Sequence, residues 1–339
     1  MPRKNMTILI IAIVVIGAML ALLPHIIYIL AKLSSLVLPL HVAYRPYGLV
    51  ALGLVVLWVV LVCFGNIYGR FRHEVKPVQI AFESLPPSFD GLRIVHISDL
   101  HLDGWAGHER QLQERIDEIN ALEPDIIFFT GDLVSMSPDE LKPFAAILRG
   151  LHAKEPGRVY AVLGNHDYLP YSRSLSPRQR TEAVAELVRM EREELGWTVL
   201  LNESAVIRRG NDSIAILGCE NQSVGAHPVV QRGDIGKTMA GIDDEHTFCI
   251  LLTHDPSQWR KEILPRTNIP LTLSGHTHAM QMRILGFTPS KWIYPECDGL
   301  YTEGSRHLYV NIGLGGTLPW RIGATPEITL LTLKRLTKN

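Results

Sequence analysis

The chain has 339 residues, 47% of them hydrophobic, and a formal net charge of −1. That near-neutral total hides an uneven split: residues 1–77 hold seven Lys/Arg (Arg3, Lys4, Lys32, Arg45, Arg70, Arg72, Lys76) and one acid, Glu74, which leaves 26 basic and 33 acidic residues in 78–339, a charge of −7. An acidic remainder argues against nucleic-acid binding, which needs basic clusters against phosphate; four scattered cysteines (Cys63, Cys219, Cys249, Cys297) with no C-x-x-C pair argue against a disulfide framework and favour a reducing compartment.

Residues 7–23 carry no charge, and the apolar run continues past Pro24 and His25 to residue 30; a second uncharged stretch covers residues 46–68. Each approaches or exceeds the roughly 20 residues a helix needs to cross a bilayer. A cleaved signal peptide fits the first run poorly, because its apolar core is long, no A-x-A site follows, and a second span comes after it. Residues 1–77 are therefore predicted to form a membrane anchor with two transmembrane helices, at about 7–30 and 47–67, and a Pro-containing linker. Five basic residues flank the pair and two lie between the spans. The positive-inside rule then places the globular part, 78–339, on the cytoplasmic side of the cell membrane. Neither span contains an Asp, Glu, Lys or Arg that could line a transport path.

After Pro77, Pro86 and Pro87 the pattern changes to short apolar runs alternating with amphipathic stretches. Residues 93–98, 126–130, 159–163, 213–218, 248–253 and 269–274 read as buried strands, and 308–312 and 327–333 as further strands. Residues 109–122, 138–148 and 177–195 read as helices, the last two opened by Ser-Pro pairs. Strands alternating with helices, then strand-rich sequence, predict a layered α/β sandwich.

What stands at the strand ends is the informative feature. The run RIVHIS is followed by Asp99-Leu100-His101, DIIFFT by Gly131-Asp132, VYAVL by Gly164-Asn165-His166-Asp167, CILLT by His254-Asp255, and LTLS by Gly275-His276-Thr277-His278. In α/β sheets ligands collect beyond the carboxyl ends of strands. Carboxylate, imidazole and amide oxygen suit hard or borderline divalent cations. A two-metal site needs a bridging carboxylate and can clamp a phosphoryl group while activating water. In an extended segment, residues two apart, such as Asp99 with His101 and His276 with His278, project to one face. Glycines at 131, 164 and 275 would permit sharp turns and close backbone approach.

This set, DLH, GD, GNHD, THD and SGHTH in that order, resembles the calcineurin-like metallophosphoesterase superfamily, and within it the bacterial membrane-associated phosphohydrolases that begin with an apolar anchor. The resemblance covers about residues 78–335, with 31 residues from His101 to Asp132 and 33 from Asp132 to Asn165. It implies a layered α/β sandwich of the metallophosphoesterase type, hydrolysing a phosphomonoester, phosphodiester or pyrophosphate by metal-activated water. It implies two divalent ions, Mn²⁺ first and Fe or Zn next. One would be held by Asp99, His101, Asp132 and His278, the other by Asp132, Asn165, His254 and His276. His166 would be a non-ligand histidine that contacts phosphate and protonates the leaving oxygen, with Asp167 orienting it. The family includes hydrolases of UDP-diacylglucosamine, so a lipid-linked substrate is one expectation; a non-catalytic metal-binding scaffold is the reading of another class. Where the family commonly has two glycines after the last ligand histidine, this chain has Ala279 and Met280, which would narrow the rim of the site.

Taken singly, these residues have ordinary alternatives: Asp99 or Asp132 as caps, Asn165 in a tight turn, His254 as a core histidine. Convergence of five strand ends outweighs them. His96 is expected in the core and His108 at a solvated helix end, and His152, His227, His246 and His307 belong to no motif. Residues 168–180, with Tyr168, Tyr171, Arg173, Arg178 and Arg180, read as a surface loop or a substrate-gripping flap. Gly313, Gly315 and Gly316 lack the strand–glycine–helix context of a nucleotide cradle.

Overall fold

The computed structural model describes residues 3–225 and 229–336, so His227 and the terminal Asn339 lie outside the described residues. Two helices come first, α1 (Arg3–Ser34) and α2 (Arg45–Phe64), the second continuing through a wider turn at Gly65–Gly69. Met6–Ser34 and Arg45–Gly69 are each long and apolar enough to cross a membrane. The helices pack together near Trp58, whose indole N–H donates to the Ala12 carbonyl at 3.2 Å.

The rest is built on two six-stranded sheets. The first runs β1 (Glu74–Phe82), β12 (Glu327–Arg335), β2 (Arg93–Ile97), β3 (Ile126–Phe129), β4 (Val159–Ala161), β5 (Thr198–Val199). The second runs β10 (Gly299–Glu303), β11 (Arg306–Val310), β9 (Leu271–Ser274), β8 (Phe248–Leu252), β7 (Asp212–Gly218), β6 (Glu203–Arg209). Alternate side chains of a strand face opposite ways. Ile94, Ile126 and Phe128 therefore meet Ile216, Ile250 and Leu273 between the sheets. Val95, Ile127 and Phe129 face outward, under helices α3 (Glu109–Ala121), α4 (Ala145–Arg149) and α5 (Pro177–Arg189). Trp259 and Ile263 cover the outer face of the second sheet. Strands buried on both faces read as continuous apolar runs, which is why the central ones were legible in sequence. The predicted layered α/β sandwich is the architecture found.

Strands β5, β6 and β10 are not expected from the sequence, and three segments that are assigned differ from expectation. The segment read as a Pro-containing linker begins β1 at Glu74, so the expected boundary at 77/78 falls inside a strand. Pro77 is tolerated there because β1 is the outermost strand, where a missing N–H breaks no ladder. The helix expected over 138–148 is instead two 3₁₀ turns, Pro138–Glu140 and Lys142–Phe144, before the short α4. Pro143 supplies no N–H and its ring opposes a continuous helix. The helix expected over 177–195 holds to Arg189 and then widens into a π turn, Met190–Glu194.

Strands β2, β3 and β4 run parallel, with Ile94 opposite Ile126 and Ile127 opposite Val159. Strands β8 and β9 are parallel in the second sheet, with Leu251 opposite Thr272. Their carboxyl ends open on one edge of the sandwich.

Candidate metal centre

At that edge the loops are stitched across the two sheets. Asp99 N–H donates to Gly131 O at 2.9 Å and His101 N–H to Asp132 O at 3.1 Å. Gly275 N–H donates to His254 O at 3.0 Å, and His276 N–H to Asp99 Oδ2 at 3.0 Å. Such contact demands glycine: a β-carbon on Gly275 would overlap Ser98 Oγ and Asp99 Oδ2, and one on Gly131, at φ +96°, would overlap the Gly164 backbone.

Extended Asp-x-His geometry, the sequence expectation, is not how the side chains are aimed. Asp99, His101, Asp132, His276 and His278 all have left-handed backbone, with φ between 47° and 76°. For an L-residue this costs on the order of 1–3 kcal/mol apiece, and such strain concentrates at functional sites. Ala279 and Met280 continue it at φ 49° and 48°. These are positions where glycine would be unstrained, so the departure from two glycines is borne as backbone strain. Ala279 is buried against Ile312 and Ala324 and does not reach the rim.

The seven residues expected as ligands are buried or nearly so, and the ligand atoms of six of them, all but Asn165, converge in two groups. One atom from each of Asp99, His101, Asp132 and His278 lies within 4.8 Å of the others, and the same holds for Asp132, His254 and His276. Asp132 belongs to both groups. His278 Nε2 is 3.2 Å from Asp99 Oδ1, and His254 Nε2 is 3.2 Å from Asp132 Oδ2. His101 Nε2 and His278 Nε2 stand 3.3 Å apart, as do His276 Nδ1 and His254 Nε2 at 3.2 Å. Asp99 Oδ1 and Asn165 Oδ1 are buried without a hydrogen-bond partner among the described residues. Unpaired buried oxygens are costly in a protein interior. Asp99 Oδ1, set among converging imidazoles, belongs to a donor set that fits divalent cations.

Outer partners fix the tautomers. His254 Nδ1–H donates to Thr130 O at 2.7 Å, leaving Nε2 free to face Asp132. His101 Nδ1 pairs with Ser135 Oγ at 3.1 Å, which also leaves Nε2 facing inward. His276 Nε2 pairs with the Tyr294 hydroxyl at 2.8 Å, leaving Nδ1 toward His254. Such partners orient ligand histidines and raise their basicity.

His166 belongs to neither group of ligand atoms. Its main-chain N–H donates to Asp132 Oδ1 at 2.7 Å, its Nδ1 pairs with Ser135 O at 3.1 Å, and its ring lies 4.8 Å from that of His101. Asn165 has helical backbone and His166–Tyr168 forms a 3₁₀ turn, so an extended segment is not what separates the two side chains. Asp167 does not hold the His166 ring. Its carboxylate accepts main-chain N–H bonds from Asp132 at 2.7 Å, Gly164 at 2.9 Å and Val134 at 3.1 Å. It braces the loops that carry Asp132 and Asn165.

Burial and charge act together here. Burial opposes charge at Asp132, yet the facing His254 and His166 hold its carboxyl well below the usual range. Burial pushes Asp99 upward, with the neighbouring Asp132 adding to it against His254. Burial also pulls His101 and His278 well below the usual imidazole value, toward the neutral form that ligates metals.

Several functional neighbours carry no local sequence signal. Tyr294 sits in no motif. Tyr171, inside the expected loop or flap, places its ring 4.7 Å from that of His166, whereas Arg178 pairs with Glu182 on the surface of α5. Arg321 is buried, donates to the main-chain carbonyls of Ile312 at 2.8 Å and Gly313 at 3.2 Å, and is lowered to about 10 by burial. The glycines at 313–316 let that loop lie against the Asp99 segment, with Gly315 N–H donating to Asp99 O at 2.9 Å. His96 is a core residue, paired with Thr130 Oγ1 at 2.9 Å. His108 stands at the start of α3 and is half-buried, its ring 4.3 Å from that of Phe71 and its Nε2 2.9 Å from Arg70 Nη2.

Comparison with known proteins agrees with this geometry. The calcineurin-like phosphoesterase family matches residues 92–280. The uncharacterized metallophosphoesterase YkuE of Bacillus subtilis is 33% identical over 288 residues, covering 80% of this chain and 91% of that protein. A transmembrane protein with metallophosphoesterase domain from Danio rerio is 32% identical over 285 residues, covering 81% of this chain; the chain spans 61% of that longer relative. The UDP-2,3-diacylglucosamine pyrophosphatase LpxG of Chlamydia trachomatis is 31% identical over 296 residues, covering 73% of this chain and 86% of that protein.

Proposed function

The chain belongs to the calcineurin-like phosphoesterase family, and from that premise we propose that it is a membrane-anchored phosphoesterase with a two-ion centre shared across Asp132. Asp99, His101, Asp132 and His278 would hold one ion, and Asp132, Asn165, His254 and His276 the other. The observation that carries this reading is the convergence of two groups of buried ligand atoms, from Asp99, His101, Asp132 and His278 and from Asp132, His254 and His276, on the shared Asp132 carboxylate. Divalent ions in such a site supply Lewis acidity toward phosphoryl oxygens and an activated water. The protein's own part is to fix the ligands through Thr130, Ser135, Tyr294 and Asp167, and to present His166 beside the centre. From there an imidazole can stabilise phosphoryl charge or protonate the leaving oxygen. The full ligand set together with His166 speaks against a non-catalytic scaffold.

A lipid-linked substrate, the narrower reading, is favoured by a groove of about 430 Å³ between His278 and Ile16 of α1, lined also by Met280, Pro289, Leu318 and Trp320. Similarity to a diacylglucosamine pyrophosphatase supports the same class. We place the catalytic part on the cytoplasmic face, by the distribution of Lys and Arg about the spans. Mn²⁺ is the first choice of ion, with Fe or Zn next; imidazole and carboxylate suit all three.

The test pairs chemistry with metal content. Purified protein loaded with Mn²⁺ is assayed against mono-, di- and pyrophosphate esters, with and without acyl chains. Asp132→Ala should lose metal at both positions and abolish hydrolysis. Two ions per chain by elemental analysis in that variant would overturn the shared-bridge assignment.

A further inference from the structure

Beyond the anchor, the exposed large apolar side chains are not evenly spread: Ile284, Leu285, Phe287, Trp292 and Ile293 fall within one ten-residue stretch, and the others are scattered singly. Leu285 is 102% exposed and Trp292 77%. The stretch is nonetheless firmly built. Ile284 and Phe287 pair across a tight turn in which Leu285 and Gly286 take φ 49° and 81°. Thr288 is buried, its hydroxyl donating to Ala279 O at 2.6 Å and accepting from Ser290 N–H at 3.2 Å to start the 3₁₀ turn Pro289–Trp292. The Phe287 and Trp292 rings lie 5.3 Å apart. A pegged hairpin that turns its large apolar side chains outward has a surface made to be covered.

Its root shows what covers it. Met282 bridges to Ile322, and both join the cluster in which Trp58 and Val62 of α2 meet Ala12 of α1. Pro289 shares a groove with Ile16, which stands about 20 Å along α1 from its first residue at 1.5 Å per residue. The hairpin is thus continuous with the packing surface of two helices apolar enough to span a membrane. Its make-up is that of an interfacial element: Leu and Phe at the tip, a Trp beside them, Lys291 next to the Trp, and Arg283 already paired with Asp298 at the base. We propose that residues 284–293 form a third membrane contact, a hairpin that inserts Leu285, Phe287 and Trp292 into the headgroup–acyl boundary of the bilayer holding α1 and α2. Its two ends carry site residues, His278 before it and Tyr294 after it, the latter on His276. Insertion therefore holds the mouth of the metal centre against the lipid surface. The contact stands whichever phosphate ester is the substrate.

The test uses the full chain in vesicles of phosphatidylethanolamine and phosphatidylglycerol. Leu285→Cys, in a Cys63→Ser background, is labelled with an environment-sensitive fluorophore; the remaining cysteines are buried. Asp139→Cys, an exposed turn position, is the aqueous control. Doxyl-labelled lipids should quench the probe at 285 and not at 139, and aqueous iodide should quench the probe at 285 several-fold less. Iodide quenching at 285 equal to that at 139, without quenching by doxyl lipid, would overturn the proposal. So would shielding that disappears as protein is diluted in lipid, because the cover would then be a second copy of the chain. Trp292→Cys repeats the measurement at an independent exposed position, with the same outcomes deciding.

Discussion

His166 and Glu191 are two buried or half-buried titratable residues whose surroundings give opposite kinds of prediction. His166 reaches the centre without supplying a ligand atom to either group, and the bond that steadies Asp132 comes from its main-chain N–H, which alanine retains. His166→Ala should therefore keep both ions by elemental analysis and lose about 10²–10⁴-fold in turnover, the range for one acid–base group. The loss should shrink for a nitrophenyl leaving group, which needs little protonation; equal losses across leaving groups would point to charge stabilisation instead. Glu191 has no visible chemistry. It is fully buried, and neither carboxylate oxygen has a hydrogen-bond partner among the described residues. Burial, with Asp167 adding to it against Arg192, raises its carboxyl well above the usual value. A folded-state value above the unfolded one means the folded chain binds that proton more tightly. Its stabilising effect is then complete below the unfolded value and is lost as pH rises toward the folded one. Glu191→Gln removes this dependence. Its melting temperature should gain on the parent's between pH 5 and pH 8 by a few degrees, at about 2–4 °C per kcal/mol for a domain of this size. Parallel curves over that range would show that Glu191 does not titrate there.

At the scale of elements, the junction between anchor and sandwich is made by an edge strand. Lys76 on β1 lies 2.9 Å from Glu327 on β12, a buried carboxylate that also accepts from the Tyr309 hydroxyl and Thr329 Oγ1, both at 2.6 Å. Removing the cation leaves a buried charge short of its partner, which costs about 3–5 kcal/mol for a fully buried pair. Lys76 is one-third exposed, so solvent screening reduces this to roughly 2 kcal/mol. Lys76→Met should lower the unfolding midpoint accordingly, and adding Glu327→Gln should recover part of the loss in a double-mutant cycle. Additive losses would show that the pair is not coupled. The same strand marks the limit of what was legible in sequence. Central strands announce themselves by continuous apolar runs, and their ends by Asp, His and Asn. An edge strand such as β1 alternates, carries Pro77, and owes its place to a partner some 250 residues away. The metal-centre residues could be picked out because each follows a strand directly. Tyr294 and Arg321 could not, since both reach the site through loops whose course is set by tertiary contact. The left-handed backbone at Asp99, His101 and His278 was equally invisible, because only packing against neighbouring loops holds an L-residue there.

At the scale of the whole molecule, the helices and the sandwich are not joined by a free tether. Gly65 and Gly69, at the end of α2, lie so close to the Arg321 carbonyl that a β-carbon at either would overlap it, and Arg321 N–H donates to Gly65 O at 3.1 Å. The side chain of the same Arg321 holds the carbonyls of the Gly313–Gly315 loop behind Asp99, so the last turn of the second apolar helix is two residues' contact away from the centre. The sidedness of the helices therefore fixes the compartment of the chemistry. Charges near the spans decide it under the positive-inside rule. Lys76 is taken up by Glu327, and Arg70 faces His108 within the fold, so their weight in the count is reduced. Arg3, Lys4 and Arg72 remain on the side of the sandwich against Lys32 and Arg45 between the spans. A cytoplasmic sandwich is still the expected outcome, on a margin that mutagenesis can reverse. A reporter that is active only outside the cytoplasm, fused after Asn339, should be silent on the parent chain. Replacing Arg3, Lys4 and Arg72 together by Gln leaves the excess in the loop, and reporter activity should then appear in a measurable fraction of molecules. Activity on the parent chain would place the phosphoesterase on the outer face of the membrane, with its metal centre unchanged.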